Sequence, residues 1–180
     1  MEQSYALIEE GKHLWTREKA RGIREKMSGM LDGLALGDAL VIDMKGIEVF
    51  DFSFANELFG KLLMALPNDY VGRFIVIEHL TDYTRENLEK ALESLGLVAI
   101  ERKGKKIELL GKVHPTDQAT FKSIVRAAGP VTAAELKEKL DVNLNAMNER
   151  LNKLTGLGLI RRVKGVSPAG REQYEYRVLS

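Results

Sequence analysis

The chain has 180 residues, 44% of them hydrophobic, and a formal net charge of +1, which describes a folded globular protein with room for one medium domain or two small ones. It has no cysteine, which excludes disulfides, thiolate metal sites and cysteine nucleophiles and suits a reducing cytosol. No apolar run approaches the roughly 20 residues that span a bilayer, and residues 1–5 lack a signal-peptide pattern, so a soluble cytoplasmic protein is expected.

In chain order, residues 4–8 and 12–15 are short strand candidates. A helix is expected over 16–31, with Ala20, Ile23, Met27, Met30 and Leu31 as its apolar stripe. Residues 39–43 are a buried strand run. Residues 53–66 form a second helix with Phe54, Leu58, Leu62 and Ala65 on one side and Pro67 after it. Residues 73–77 are another buried strand. A third helix over 84–95 closes at Gly96, and residues 97–113 read as two strands turning at Lys103, Gly104 and Lys105. Buried strands alternating with helices imply an α/β layer, a mixed sheet with helices packed on it.

A boundary is expected at 112–113, in the stretch leading to Pro115, which disfavours helix before it. Charge shifts there as well: residues 1–112 carry 16 Lys/Arg against 19 Asp/Glu, and residues 113–180 carry 11 against 7. Phe121, Ile124, Val125 and Ala128 share one helix face, and Gly129 with Pro130 ends that helix. Thr132 and Glu135 make a capping box for the next helix, with Leu136 and Leu140 inward. Asn143 is the expected N-cap of a third helix. Leu144, Met147, Leu151 and Leu154 form its apolar face, and Gly156 and Gly158 its end. Residues 159–164 and 173–179 are strands, joined by a loop holding Gly165, Pro168 and Gly170.

Three helices and a basic hairpin within 116–180 resemble the winged helix-turn-helix family of bacterial-type regulators, a small α+β fold. The most specific stretch is 151–162, in which Leu151, Leu154, Gly158, Arg161 and Arg162 match the end of a recognition helix passing through glycine into the first wing strand. The first segment resembles the STAS-like family, relatives of the anti-sigma-factor antagonists. Thr16, Arg17 and Ala20 at the first helix carry that likeness, as does 40–58 with Asp43, Gly46, Phe50, Asp51, Phe52, Ser53 and Phe54. In the classical antagonists a strand leads to an Asp-Ser-Ser/Thr-Gly turn whose third residue is phosphorylated. Ser53 falls at that position and Phe54 replaces the glycine. The resemblance implies a partner surface at Asp51, Phe52, Ser53 and Phe54, and a kinase-like ATPase or other regulatory protein as partner.

The recognition helix places Asn145, Asn148 and Asn152 on one stripe away from its apolar face, and asparagine pairs bidentately with adenine in the major groove. Lys153 adjoins them, and Glu149 beside the stripe repels phosphate. The wing offers Arg161, Arg162, Lys164 and Arg171. Strand alternation turns Arg161 and Arg162 opposite ways, while Lys164 and Arg171 flank the tip, within reach of phosphate or the minor groove. The plainer reading of both sets is a solvated polar face. Ser53 at a helix start is equally a plain N-cap. His13, His79 and His114 show no metal-ligand spacing. Asp43, Glu48 and Asp51 form an acidic edge that reads as a solvated loop. No phosphate-binding glycine loop or nucleophile elbow occurs, so neither enzyme activity nor a cofactor or metal is expected. The reading is a transcriptional regulator whose winged helix binds duplex DNA under STAS-like control. The alternative is a partner-switching adaptor whose two domains both bind proteins, and a small hydrolase comes last. Homodimerisation is the common route by which such regulators read two half-sites.

Overall fold

The two longest apolar strand runs decide the architecture. A strand sends alternate residues to opposite faces, so a continuous apolar run needs a cover on both. The computed structural model, which describes residues 1–127 and 129–179, supplies the two covers from different halves of the chain. Ala128 of the expected helix stripe lies outside the described residues, as does Ser180.

The first half contains β1 (Glu2–Ala6), a 3-10 turn (Leu7–Glu10), β2 (His13–Leu14), α1 (Arg17–Gly33), β3 (Ala39–Asp43) and β4 (Val49–Phe50). A continuous helical run follows, made of α2 (Phe52–Ala55), a π turn (Asn56–Gly60) and α3 (Lys61–Asp69). Then come β5 (Phe74–Glu78), α4 (Asp82–Leu95), β6 (Ala99–Lys103) and β7 (Lys106–Leu110). The sheet order is β1-β3-β5-β6-β7, with β7 alone antiparallel. A separate parallel pair, β2-β4, lies apart.

Leu40, Ile42, Ile75, Ile77 and Ala99 pack into one cluster with Ile23, Met27 and Leu31 of α1, Leu62 and Leu66 of α3, and Leu88 and Leu92 of α4. The alternate residues Ala39, Val41, Phe74, Val76, Val98, Ile100 and Leu109 belong to a second cluster. Its other members include Phe121, Ile124, Met147, Leu151, Leu154, Leu159 and Ile160. The C-terminal segment therefore closes the open face of the sheet, and both halves share that core.

The second half contains α5 (Pro115–Val125), β8 (Val131–Thr132), α6 (Ala133–Leu140), α7 (Leu144–Gly156), β9 (Arg161–Val166) and β10 (Glu172–Arg177). Its sheet order is β8-β10-β9, antiparallel throughout. Thr132 and Glu135 complete the expected capping box, and Asn143 accepts from the Ala146 N–H at 2.8 Å to start α7.

Several elements differ from the sequence expectation. β1 begins at Glu2 because its pairing with β3 starts at Glu2↔Ala39, and residues 7–10 curl into the 3-10 turn. Pro67 lies inside α3 instead of ending it; the lost ladder bond and the ring's crowding of the preceding turn fall two residues before the helix ends. β8 is too short to leave a period, two residues pairing with Glu175 and Tyr176. Leu144 is not part of the α7 core face: it is 45% exposed, the first residue after the cap.

The π turn carries a buried acid. Glu57 is ion-paired with Lys61 at 2.6 Å, Arg24 at 3.2 Å and Arg21 at 3.8 Å. The Lys61 hydrogen bond holds its carboxyl below the usual range, with burial pulling the other way and Arg24 assisting. A depressed carboxylate contributes stability above its unfolded value, near 4.3, and that contribution is lost as pH falls through the folded value. Glu57→Gln is expected to cost about 1–2 kcal/mol at pH 7, less than a fully buried pair because Lys61 and Arg21 are half in water. The difference from wild type should shrink as pH drops below 4. Denaturant melts at several pH values check this, and a pH-independent penalty would contradict it.

Candidate nucleic-acid interface

The C-terminal half presents one helix with a polar, uncommitted face. Met147, Leu151 and Leu154 are buried, and at about 100° per residue the opposite direction falls between Asn145, Glu149 and Asn152, all exposed. Asn148 sits at the margin and is half-buried. Among the described residues, the side chains of Asn145, Asn148 and Asn152 have no partner in the chain. Lys153 does: its ammonium donates to buried Asp117 at 2.5 Å, a bond that must be shared or broken before it engages a phosphate. Leu144 extends the exposed face at its N-terminal end, where recognition helices meet base edges. The sequence pattern had assigned it inward, because periodicity ignores that the first residue of a helix projects past the core.

The wing is built by β9 and β10. Arg162 lies over the Tyr174 ring at 4.5 Å, a cation–π contact that holds its guanidinium on the exposed side with Lys164. Arg161 is half-buried and runs along Gly72 of the first half. Arg171 is exposed at the tip, where its N–H donates to the Ser167 hydroxyl at 3.1 Å and its carbonyl accepts from the Ser167 N–H at 2.8 Å.

At the other surface, the cap of α2 is Asp51, not Ser53: its carboxylate accepts from the Phe54 N–H at 2.6 Å. Ser53 lies inside the first turn and is half-buried. Phe54 is fully buried and withdrawn from any partner, whereas Phe52 is 55% exposed. The sequence reading overlooked Trp15. The Leu14 carbonyl accepts from the Asp51 N–H, so Trp15 and Phe52 leave the same end of the β2-β4 ladder, and both are exposed. A lone tryptophan after a two-residue strand carries no periodic signal that would have singled it out.

The acidic edge is committed internally. Asp43 binds the Lys45 N–H and His79, and Glu48 binds Lys12 and His13. His114 caps α5. Among the described residues no group of three or more His, Asp or Glu could hold a metal, and no helix is long and apolar enough to cross a membrane.

Residues 114–163 match the model of a helix-turn-helix domain, and residues 28–85 match that of a STAS-like domain of unknown function. The chain joins a STAS-like domain to a winged helix-turn-helix domain. A solved structure, a possible transcriptional regulator from Methanosarcina mazei Go1, is 16% identical over 46% of this chain and 75% of that one, with a TM-score of 0.34. No curated protein matches the chain. The helix-turn-helix match contains α5, α6, α7 and the first half of β9, so it covers the polar face of α7 but stops before Arg171. The STAS-like match contains β3, the Asp51–Phe54 turn and β5, so it includes Ser53 but not Trp15.

Proposed function

We propose that this chain is a cytoplasmic transcriptional regulator in which residues 113–180 bind duplex DNA under the control of residues 1–112. The carrying observation is α7: a helix within the helix-turn-helix match whose outward face bears Asn145, Asn148 and Asn152 with no partner among the described residues. Those asparagines read bases, while Arg162, Lys164 and Arg171 supply phosphate contacts, with Lys153 joining once released from Asp117. Homodimerisation through a globular face provides the second half-site.

The test is binding to duplex fragments selected by the protein itself. With about four to six phosphate contacts, log affinity should fall against log salt with a slope near −4 to −5. Asn145→Ala or Asn152→Ala should cost about 1–3 kcal/mol on the preferred site and little on random duplex, whereas Lys164→Ala or Arg171→Ala should weaken both alike. Salt-independent binding, or asparagine variants with full discrimination, would count against the assigned face.

The control surface is proposed at Asp51, Phe52 and Ser53 with Trp15 beside them, docking a kinase-like ATPase or other regulatory protein. A phosphate on Ser53 adds roughly −1.5 to −2 charge next to the Phe52 anchor and disrupts an apolar contact. Ser53→Asp should abolish partner capture and Ser53→Ala preserve it, with melting temperatures close together because Asp51 provides the cap. Equal capture by both variants would remove the switch. The exposed Trp15 and Phe52 pair also favours the adaptor alternative, in which both domains bind proteins; absence of duplex binding with intact partner capture would select it.

A further inference from the structure

A cleft of about 340 Å³ lies between the two domains, in the size range of small-molecule sites. Leu36, Leu66, Pro67 and Val71 form its wall in the first half, and Ile160 and Val163 of the second half face them. Leu36 and Val71 stand 61% and 59% exposed, an apolar rim that none of the described residues covers. Every charged residue lining the cleft is a cation: Arg73, Arg161, Arg162 and Lys164. Among the described residues none of the four has an ion-pair partner; Arg73 and Arg161 are half-buried, and most other half-buried or buried charges among those residues are paired. The Arg73 Nε–H donates to the Leu34 carbonyl, which fixes that guanidinium in the wall. Residues 160–164 all line the cleft in succession, so β9 presents it an edge. β9 pairs with β10 alone, and that open edge leaves backbone N–H groups without a ladder partner.

Arg73 and Arg161 are both half-buried, and like charges near one another raise each other's energy unless an anion joins them, while apolar walls exclude water from that anion's body. We propose that the cleft binds a small organic anion carrying an apolar body. Its acidic group is held by Arg161, which runs along Gly72 in the wall, with Arg73 beside it, and its body lies against Leu36, Leu66 and Val71. Arg162 and Lys164 are also the wing's proposed phosphate contacts. Both residues line the cleft, so an anion there offsets the positive charge they offer phosphate, and the anion and duplex bind with negative, reciprocal coupling. The coupling rests on the DNA reading; the site does not.

The test uses the full chain and the aromatic sulfonate 8-anilinonaphthalene-1-sulfonate as probe, with N-phenyl-1-naphthylamine as its neutral analogue, below the unfolding transition. One saturable site is expected for the sulfonate, with the neutral compound at least about tenfold weaker, as for loss of a charge-assisted contact. Leu36→Ser with Val71→Ser should weaken the sulfonate about tenfold by loss of apolar contact. These two residues lie on the surface, so the melting temperature should stay unchanged. Arg161→Gln should weaken it similarly. Selected duplex should displace the probe, and the probe should weaken duplex binding by the same factor. Equal affinity for the neutral compound, or sulfonate binding untouched by these variants, overturns the site. Cleft binding with duplex and probe indifferent to each other overturns the coupling. Cleft binding in a chain that takes no duplex supports the site while refuting the DNA reading.

Discussion

Residues 1–112, expressed without the rest, are expected to lose cooperative unfolding and to expose an apolar sheet face. The seven residues Ala39, Val41, Phe74, Val76, Val98, Ile100 and Leu109 are each buried in a cluster shared with the C-terminal segment. Complete burial of a large aliphatic or aromatic side chain contributes about 1.5–3 kcal/mol. Neighbours in the sheet would still cover part of each side chain, so removing the lid costs roughly 5–10 kcal/mol. That is comparable with the whole stability of an ordinary domain, about 5–15 kcal/mol. The fragment 113–180 loses the opposite wall of the same cluster and is expected to be destabilised as well. Calorimetry of the two fragments and of the full chain checks this. A fragment of residues 1–112 that melts in one sharp transition near the full-chain temperature would show that the sheet face does not depend on its cover.

That shared face was partly legible. Residues 39–42 and 74–77 are unbroken apolar runs, which already call for cover on both sides of a sheet, yet the first half has helices enough for one. The sequence does not say which later segment closes the second side, because docking depends on shape across residues far apart in the chain. Local signals were more direct. Thr132 with Glu135, Asn143 before α7, and Gly96 after α4 each place a polar or permissive residue where a helix end leaves backbone groups unpaired. Where a signal depended on position within an element, it misled: Leu144 fits the apolar period but stands outside the core, and Ser53 fits an N-cap but lies past Asp51.

The candidate site divides in the same way. The polar face of α7 follows from Met147, Leu151 and Leu154 pointing inward, a matter of helix geometry. The commitments of individual side chains do not follow. Lys153 is drawn to Asp117, Phe54 is taken into the core, and Arg161 is turned toward Gly72, each by a partner many residues away. The cleft beside the wing exists because of the docking of the halves and has no counterpart in any local pattern.

Gly158→Val is expected to destabilise the chain strongly, because it strikes the joint between α7, β9 and the STAS-like half at once. Gly158 has φ +71°, and a Cβ there would stand 2.8 Å from Cδ2 and 3.0 Å from Cγ of Leu66 in α3. A β-branched residue in the left-handed region costs about 1–2 kcal/mol, and overpacking about 1–3 kcal/mol more. Leu66 is 3% exposed and has little room to yield. The sum, about 2–5 kcal/mol, lowers the melting temperature by roughly 5–15 °C for a unit of this size. Gly156→Ala, at an exposed helical position with open space around it, should leave the temperature unchanged or raise it slightly. Adding Leu66→Ala to Gly158→Ala should recover the steric part of that variant's penalty but not its backbone part, a coupling that a double-mutant cycle reads directly. Since Gly158 and Leu66 lie in different halves, the loss should appear as a downward shift of one common transition. Two separated transitions, or no coupling between positions 66 and 158, would refute the packed joint.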